Sequence, residues 1–279
     1  MQKPAGGAPI EGVPLTPISS GDGSATFRLG AWSELFAFLE SDLFKSKGSP
    51  RSPYIWRGQR RSDWALSTTL DRLFGKLGYL SKQSEQLEKE AEAHLTSFRY
   101  AARGRRGPHP EQLTEIEWWA LGQHFGLATP LLDWTRSPFA AAYFAFEEPI
   151  HDATEYRAVY ALHQEAVFRK SASLVGSDEE EGSRLPIIEF IEPLSDENAR
   201  LVSQSGLFSR APIGTSIEHW IANAFEDSGE YILIKIEIPN RDRTNCLRSL
   251  DRMNINHLSL FPDLMGASRF TNLSLELRS

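Results

Sequence analysis

The stretch PFAAAYFAF, Pro138 to Phe146, constrains the fold more than any other part of the chain. Ser137 followed by Pro138 is a helix-start signal, because proline at the first helical position lacks only an N–H that has no partner there anyway. The helix it opens is apolar on every side, so it must be buried against a sheet. Strand material is available. LLDW precedes the helix, PYIW lies far upstream, and YRAVYAL, PIIEFIEP, ARLVSQSGLF and YILIKIEIP follow, each rich in β-branched or aromatic residues between turn signals. The expected class is α+β, a central mixed or antiparallel sheet packed with several helices.

Helical periodicity appears elsewhere. Residues 31–45 place Leu35, Phe36, Leu39, Leu43 and Phe44 on one side of a 3.6-residue repeat, and residues 81–102 do the same with Leu87, Ala91, Leu95 and Phe98. Thr114 with Glu117 three residues on forms a capping box that opens TEIEWWALGQHF, and Gly126 is its natural stop. IEHWIANAF and INHLSLFPDLMGASRF also read as helix. Residues 1–24 are mostly Pro, Gly, Ala and Ser, a flexible arm, and the folded part begins near Thr26, giving one domain over 25–279. The acidic GSDEEEG at 176–182 reads as an exposed loop, and no internal repeat is seen.

Composition removes several classes. A net charge of -7 over 279 residues disfavours a surface built mainly for nucleic acid. The one cysteine, Cys246, excludes an internal disulfide and a cysteine-rich zinc site, and a reducing cytoplasm is expected. No apolar run reaches membrane-span length. There is no phosphate loop, strand-linked GxGxxG, HExxH or GxSxG, and the seven histidines lack metal-ligand spacing, so no metal is expected.

Two stretches carry chemistry. In PYIWRGQ a strand ends in Arg57, Gly58 and Gln59: a guanidinium fork, a residue without Cβ and an amide, which suits an anion approaching the backbone. The plain alternative is a structural arginine paired with a carboxylate such as Asp63. In GQHFGLATPLLDWTRSPFAAAYFAF, His124, Asp133, Trp134, Thr135 and Ser137 cluster before the buried helix, whose start exposes backbone N–H groups with no Asp or Glu in its first turn. Taken singly, Ser137 caps, Asp133 anchors a turn and His124 satisfies a helix end. Arg99, Arg103, Arg105 and Arg106 with Tyr100 form a basic strip, read either as a nucleic-acid contact or as a solvated helix end.

The motif Trp56-Arg57-Gly58 together with WALSTTLDR (64–72), WWALGQHFGLATPLLDWTRSPFAAAYFAF (118–146), RLVSQSGLF (200–208) and LFPDLMG (260–266) resembles the FRG domain family, named for an aromatic-Arg-Gly motif. A more distant likeness is to ADP-ribosyltransferases, which implies a split sheet and NAD as substrate. On that likeness Arg57, with Gly58, Gln59, His124 and Asp133 around it, holds the dinucleotide. Thr135 and Ser137 orient the nicotinamide ribose, and Tyr143 or Trp134 stacks on nicotinamide. Gln204 joins the site and Asp263 is the acid, Glu230 and Glu237 being the alternatives, with Glu237 expected to face solvent. The implied activity is ADP-ribosyl transfer to a macromolecular acceptor, or NAD hydrolysis, by a toxin or defence effector with a neutralising partner protein. A non-catalytic module for a nucleotide or phospholigand and a nucleic-acid interaction protein are the competing readings.

Overall fold

The computed structural model describes residues 16–45, 52–107, 110, 112–149, 154–175, 186–192 and 205–278. Among them eight strands form one sheet: β1 (Ser19–Gly21), β2 (Ser24–Arg28), β3 (Tyr54–Gln59), β4 (Leu132–Thr135), β5 (Tyr156–His163), β6 (Glu189–Ile191), β7 (Gly206–Arg210) and β8 (Leu233–Pro239), in the order β1-β2-β8-β5-β3-β4-β7-β6. Every pairing is antiparallel except that of β2 with β8. Ten α-helices surround it among the described residues: α1 (Glu34–Leu39), α2 (Thr69–Lys76), α3 (Ser84–Ala101), α4 (Glu115–His124), α5 (Pro138–Phe146), α6 (Gln164–Val175), α7 (Ile217–Ala224), α8 (Arg243–Arg252), α9 (His257–Leu260) and α10 (Leu264–Glu276). The expected α+β class is found.

Strand alternation divides the core into two faces. Tyr54 and Trp56 of β3 join Phe27, Val159 and Ile236 on the face covered by α1, α5 and α8, while Ile55 joins Tyr160, Leu233 and Trp220 on the face covered by α6 and α7. A third cluster, with Leu70, Leu95 and Trp119, packs α2, α3 and α4 against Phe208 of β7.

The all-apolar helix is buried as its sequence demands: Ala140, Ala141, Ala142, Ala145 and Phe146 all fall in the core. Ser137 Oγ accepts the Ala140 N–H at 3.2 Å and Pro138 occupies the first turn. The Thr114–Glu117 capping box and the Gly126 stop, at φ +88°, also stand as expected. Close packing explains Gly58. A Cβ built on it would lie 1.9 Å from the Ala141 carbonyl oxygen of α5, so this glycine lets helix and strand backbones approach.

Several expectations change. Ser19–Gly21 is a strand inside the expected arm, turned into β2 by Asp22 and Gly23, both at positive φ, an Asp-Gly hairpin signal. The first helix covers Glu34–Leu39 and not 31–45; beyond it Ser41 and Phe44 make turn hydrogen bonds, in keeping with a Glu-Ser-Asp run that favours local alternatives to helix. Glu237 does not face solvent. It is 6% exposed and accepts Arg28 Nε at 2.9 Å and Nη2 at 2.7 Å. Pro262 separates α9 from α10 where one helical stretch was expected. The acidic loop 176–182 and the first residues of ARLVSQSGLF, including Gln204, lie outside the described residues. No helix among the described residues is long and apolar enough to cross a membrane.

Candidate functional site

The middle of the sheet positions the site. β3 pairs with β5 at six successive residues, from Tyr54↔His163 to Gln59↔Ala158, yet meets β4 at one registered pair, Trp56↔Thr135. Beyond that pair the strands diverge. Arg57 fills the gap: its Nη1 donates to the Asp133 carbonyl oxygen at 2.7 Å and stands 3.6 Å from the Asp133 carboxylate. A side chain thus supplies the bond that a continued ladder would have made.

A cavity of about 830 Å³ opens in this divergence. Arg57, Gly58, Gln59, Asp133, Trp134 and Thr135 all line it, so the two stretches singled out in the sequence meet in one place. Arg60, Arg72, Asp63 and Trp64 line it as well, together with Phe144, Glu147 and Phe261. Three guanidinium groups and three carboxyl groups therefore border the same space. Most are held: Asp63 pairs with Arg61 at 2.7 Å, Asp133 accepts Gln123 Nε2 at 2.7 Å, and Arg60 pairs with Glu148. The carboxylate partner of Arg57 is accordingly Asp133 and not Asp63. Burial pushes the Arg57 guanidinium below its ordinary range and Asp133 opposes the shift. Gln59 Nε2 donates to the carbonyls of Trp64 and Ala65, each at 3.1 Å, which pins the loop carrying the half-exposed Trp64 to the cavity rim.

Trp56 and Arg57 line the cavity, and their buried donors Trp56 Nε1 and Arg57 Nε make no hydrogen bond among the described residues. A native interior leaves few such atoms, and a cavity wall is where a ligand satisfies them.

Other expected residues are placed elsewhere. Ser137 does not line the cavity, its hydroxyl being engaged in the α5 cap. Tyr143 is 1% exposed and its hydroxyl is hydrogen-bonded to His257 Nδ1, so its ring is not available for stacking on a ligand. The rings at the wall are Trp56, Trp64, Trp134, Phe144 and Phe261. His124 ends α4 edge-on to Phe125, 4.8 Å between ring centres, outside the cavity lining. Asp263 Oδ1 accepts the Gly266 N–H at 2.7 Å and caps α10. Neither Glu230 nor Glu237 lines the cavity. Within the basic strip, Arg106 lies 4.8 Å from the centre of the Trp118 ring and Arg103 4.7 Å from that of Tyr100. No cluster of three or more His, Cys, Asp or Glu among the described residues is placed to hold a metal ion.

Sequence reasoning missed Glu147. It caps the C-terminal end of α5, its side chain is 12% exposed, and burial beside Glu148 pushes its carboxyl up to about 7. The signal was present, since a carboxylate at the C-terminal end of an all-apolar helix opposes the helix dipole and calls for a reason.

Comparison with known proteins bears on the same region. Searches of curated proteins and of solved structures returned no match. The model of the FRG domain matches residues 52–154, a span that holds every residue lining the cavity except Phe261 and stops short of the 200–208 and 260–266 stretches. Over residues 52–154 the chain is therefore similar to the FRG domain family.

Proposed function

We propose that the cavity binds a dinucleotide of the NAD type and that the protein breaks the bond between nicotinamide and ribose, passing ADP-ribose to water or to a macromolecular acceptor. The observation that carries this reading is the mixed charge of the wall. Arg57, Arg60 and Arg72 face the same space as Asp63, Asp133 and Glu147. A purely anionic ligand would not want that company, whereas NAD joins an anionic pyrophosphate to a cationic pyridinium ring. The volume of about 830 Å³ lies within the range of small-molecule sites, and the aromatic residues offer faces to flat rings. The divergence of β3 from β4 at a single pair supports the likeness to a split, ADP-ribosyltransferase-like sheet.

On this reading Arg57 and Trp56 offer their unsatisfied N–H groups to the ligand, and Thr135 borders the same end of the cavity. The test is calorimetric binding of NAD with a parallel assay of nicotinamide release. Arg57→Ala should weaken binding by roughly 10- to 100-fold, the worth of a charge-assisted hydrogen bond to phosphate. Wild-type affinity in a folded variant would remove Arg57 and the reading with it.

A second reading, a binding module without turnover, is favoured by one observation: neither Asp263 nor Glu237 reaches the cavity. Binding of NAD with no nicotinamide released would select it.

A further inference from the structure

At the end of α5, beside the cavity, stands a buried chain of three polar side chains. Glu147 reaches the cavity from the end of α5, and its Oε2 stands 3.2 Å from His257 Nε2 at the start of α9. His257 Nδ1 is hydrogen-bonded to the Tyr143 hydroxyl, one turn back along α5. The imidazole stacks on Phe261, 4.9 Å between ring centres and 20° between planes, and Phe261 lines the cavity. His257 is fixed from its own side as well, because Asn256 caps α9 and its Nδ2 donates to Asp251 Oδ1 at 2.9 Å.

Among the described residues neither Glu147 Oε2 nor His257 Nε2 makes an aligned hydrogen bond, and both are buried. The two atoms stand 3.2 Å apart beside a cavity that Glu147 lines, a buried carboxyl group with a polar neighbour and no completed hydrogen bond, which is the setting of a functional acid. We propose that Glu147 is the catalytic carboxylate of this cavity and that His257, steered by Tyr143, is the positioning residue that holds it. The proposal rests on the NAD reading above and deepens it.

The directions of the hydrogen bonds follow from the protonation states. Burial pushes the Tyr143 phenol up, so its hydroxyl remains a donor and gives its proton to Nδ1. Burial, with Arg269 adding to it, brings His257 down to about 4, so the imidazole is neutral and carries its one proton on Nε2, facing Glu147. The protonated nitrogen therefore stands 3.2 Å from the carboxyl oxygen without adding a full charge. In the reaction the C1′–N bond of the nicotinamide ribose breaks, nicotinamide leaves neutral with the electron pair, and the positive charge passes to the ribose. The Glu147 carboxylate stabilises that cation. It then accepts the proton of the water or acceptor hydroxyl whose oxygen bonds to C1′, and later returns that proton to solvent.

The groups around Glu147 set the pH response. Glu148 on its own turn raises its carboxyl, Arg60 after β3 and Arg269 on α10 lower it, and Arg243 of α8 binds its backbone oxygen at 2.7 Å. Phe144 and Phe261 supply the apolar wall.

The experiment compares wild type, Glu147→Gln and Tyr143→Phe by NAD calorimetry and by the pH dependence of nicotinamide release at saturating NAD. Wild-type turnover should rise with pH through about 7. Glu147→Gln, nearly the same shape, should bind NAD within about 3-fold of wild type yet release nicotinamide at least ~100-fold more slowly, the usual effect of losing an acid–base group. Tyr143→Phe frees the imidazole to carry its proton on either nitrogen, so the carboxylate loses support and the turnover midpoint should move up by about half a pH unit. Wild-type release by Glu147→Gln, or loss of NAD binding in its folded form, would overturn the catalytic assignment. An unmoved midpoint in Tyr143→Phe would overturn the positioning role. No release by the wild type at any pH would instead remove the NAD-cleavage reading, and this proposal with it.

Discussion

Substituting Gly58 by alanine tests the packing that brings the two halves of the site together. The added methyl would lie 1.9 Å from the Ala141 oxygen and 2.6 Å from the Ala145 nitrogen, both backbone atoms of α5. Ordinary contact needs more than 3 Å, so the helix must retreat by about 1 Å or more from a core it fills with alanines. Overpacking of this kind costs typically 1–3 kcal/mol, and a backbone obstacle belongs at the upper end. The opposing gain, a stiffer unfolded chain, is worth about 0.4–1 kcal/mol. A net loss of about 2 kcal/mol or more is expected, read as a lower urea midpoint and a Tm lower by roughly 4–8 °C. Gly75→Ala is the internal control. It lies in α2, where a Cβ meets only Leu80 Cδ1 at 3.5 Å, and should stabilise by up to about 1 kcal/mol. If both variants shift stability alike, α5 does not approach β3 as described and the packing role of Gly58 is wrong.

Ser137→Ala should lose about 1 kcal/mol in urea titration, the usual worth of an N-cap, with unchanged NAD affinity; a tenfold affinity loss would place the hydroxyl at the ligand instead. Glu147 and His257 should oppose each other in the pH dependence of stability. The Glu147 carboxyl, raised from 4.5 to about 7, keeps its proton longer in the folded protein, so its contribution falls as pH rises through that window. His257, lowered from 6.5 to about 4, contributes stability that grows with pH across about 4 to 6.5, so Glu147→Gln should steepen the rise of stability between pH 4.5 and 6.5 and His257→Phe should reverse or flatten it. Urea midpoints at half-unit steps check this, and a His257→Phe protein that gains stability with pH as steeply as Glu147→Gln refutes it.

Legibility in the sequence followed the range of the interactions involved. The α5 helix, its Ser137–Pro138 start, the Thr114–Glu117 box and the strands around Tyr156–His163 and Leu233–Pro239 depend on neighbours a few residues away, and periodicity or capping chemistry reveals them. Glu237 was misread for the opposite reason. Its alternation with apolar residues is real, but the Arg28 that buries it lies 209 positions away on the neighbouring strand. The site divides along the same line. Arg57, Asp133, Trp134 and Thr135 sit on strand segments whose chemistry is conspicuous, and they meet in the cavity. Glu147 depends on α9, more than a hundred residues on, for the histidine beside it. Nothing local to Phe-Glu-Glu-Pro announces that partner.

The alternation of β3 makes the Arg-Gly-Gln ending more than a set of ligand groups. Arg57 and Gln59 project to one face, where they hold the Asp133 carbonyl and the Trp64 loop, while Gly58 turns its bare face toward α5. The width of the cavity is therefore tied to the gap between strand and helix. The far end of α5 is equally fixed: Arg157 donates to the Ala145 and Glu148 carbonyls, and Arg243 to those of Phe146 and Glu147, so the carbonyls that end a helix without partners are held. With β3 close at its middle and two arginines at its end, α5 presents Glu147 at a set distance from Arg57. A side chain at 58 would shift the helix and carry that carboxyl with it, changing the site without touching any ligand. The glycine thus shapes the cavity through position, and the arginine beside it by lining the wall.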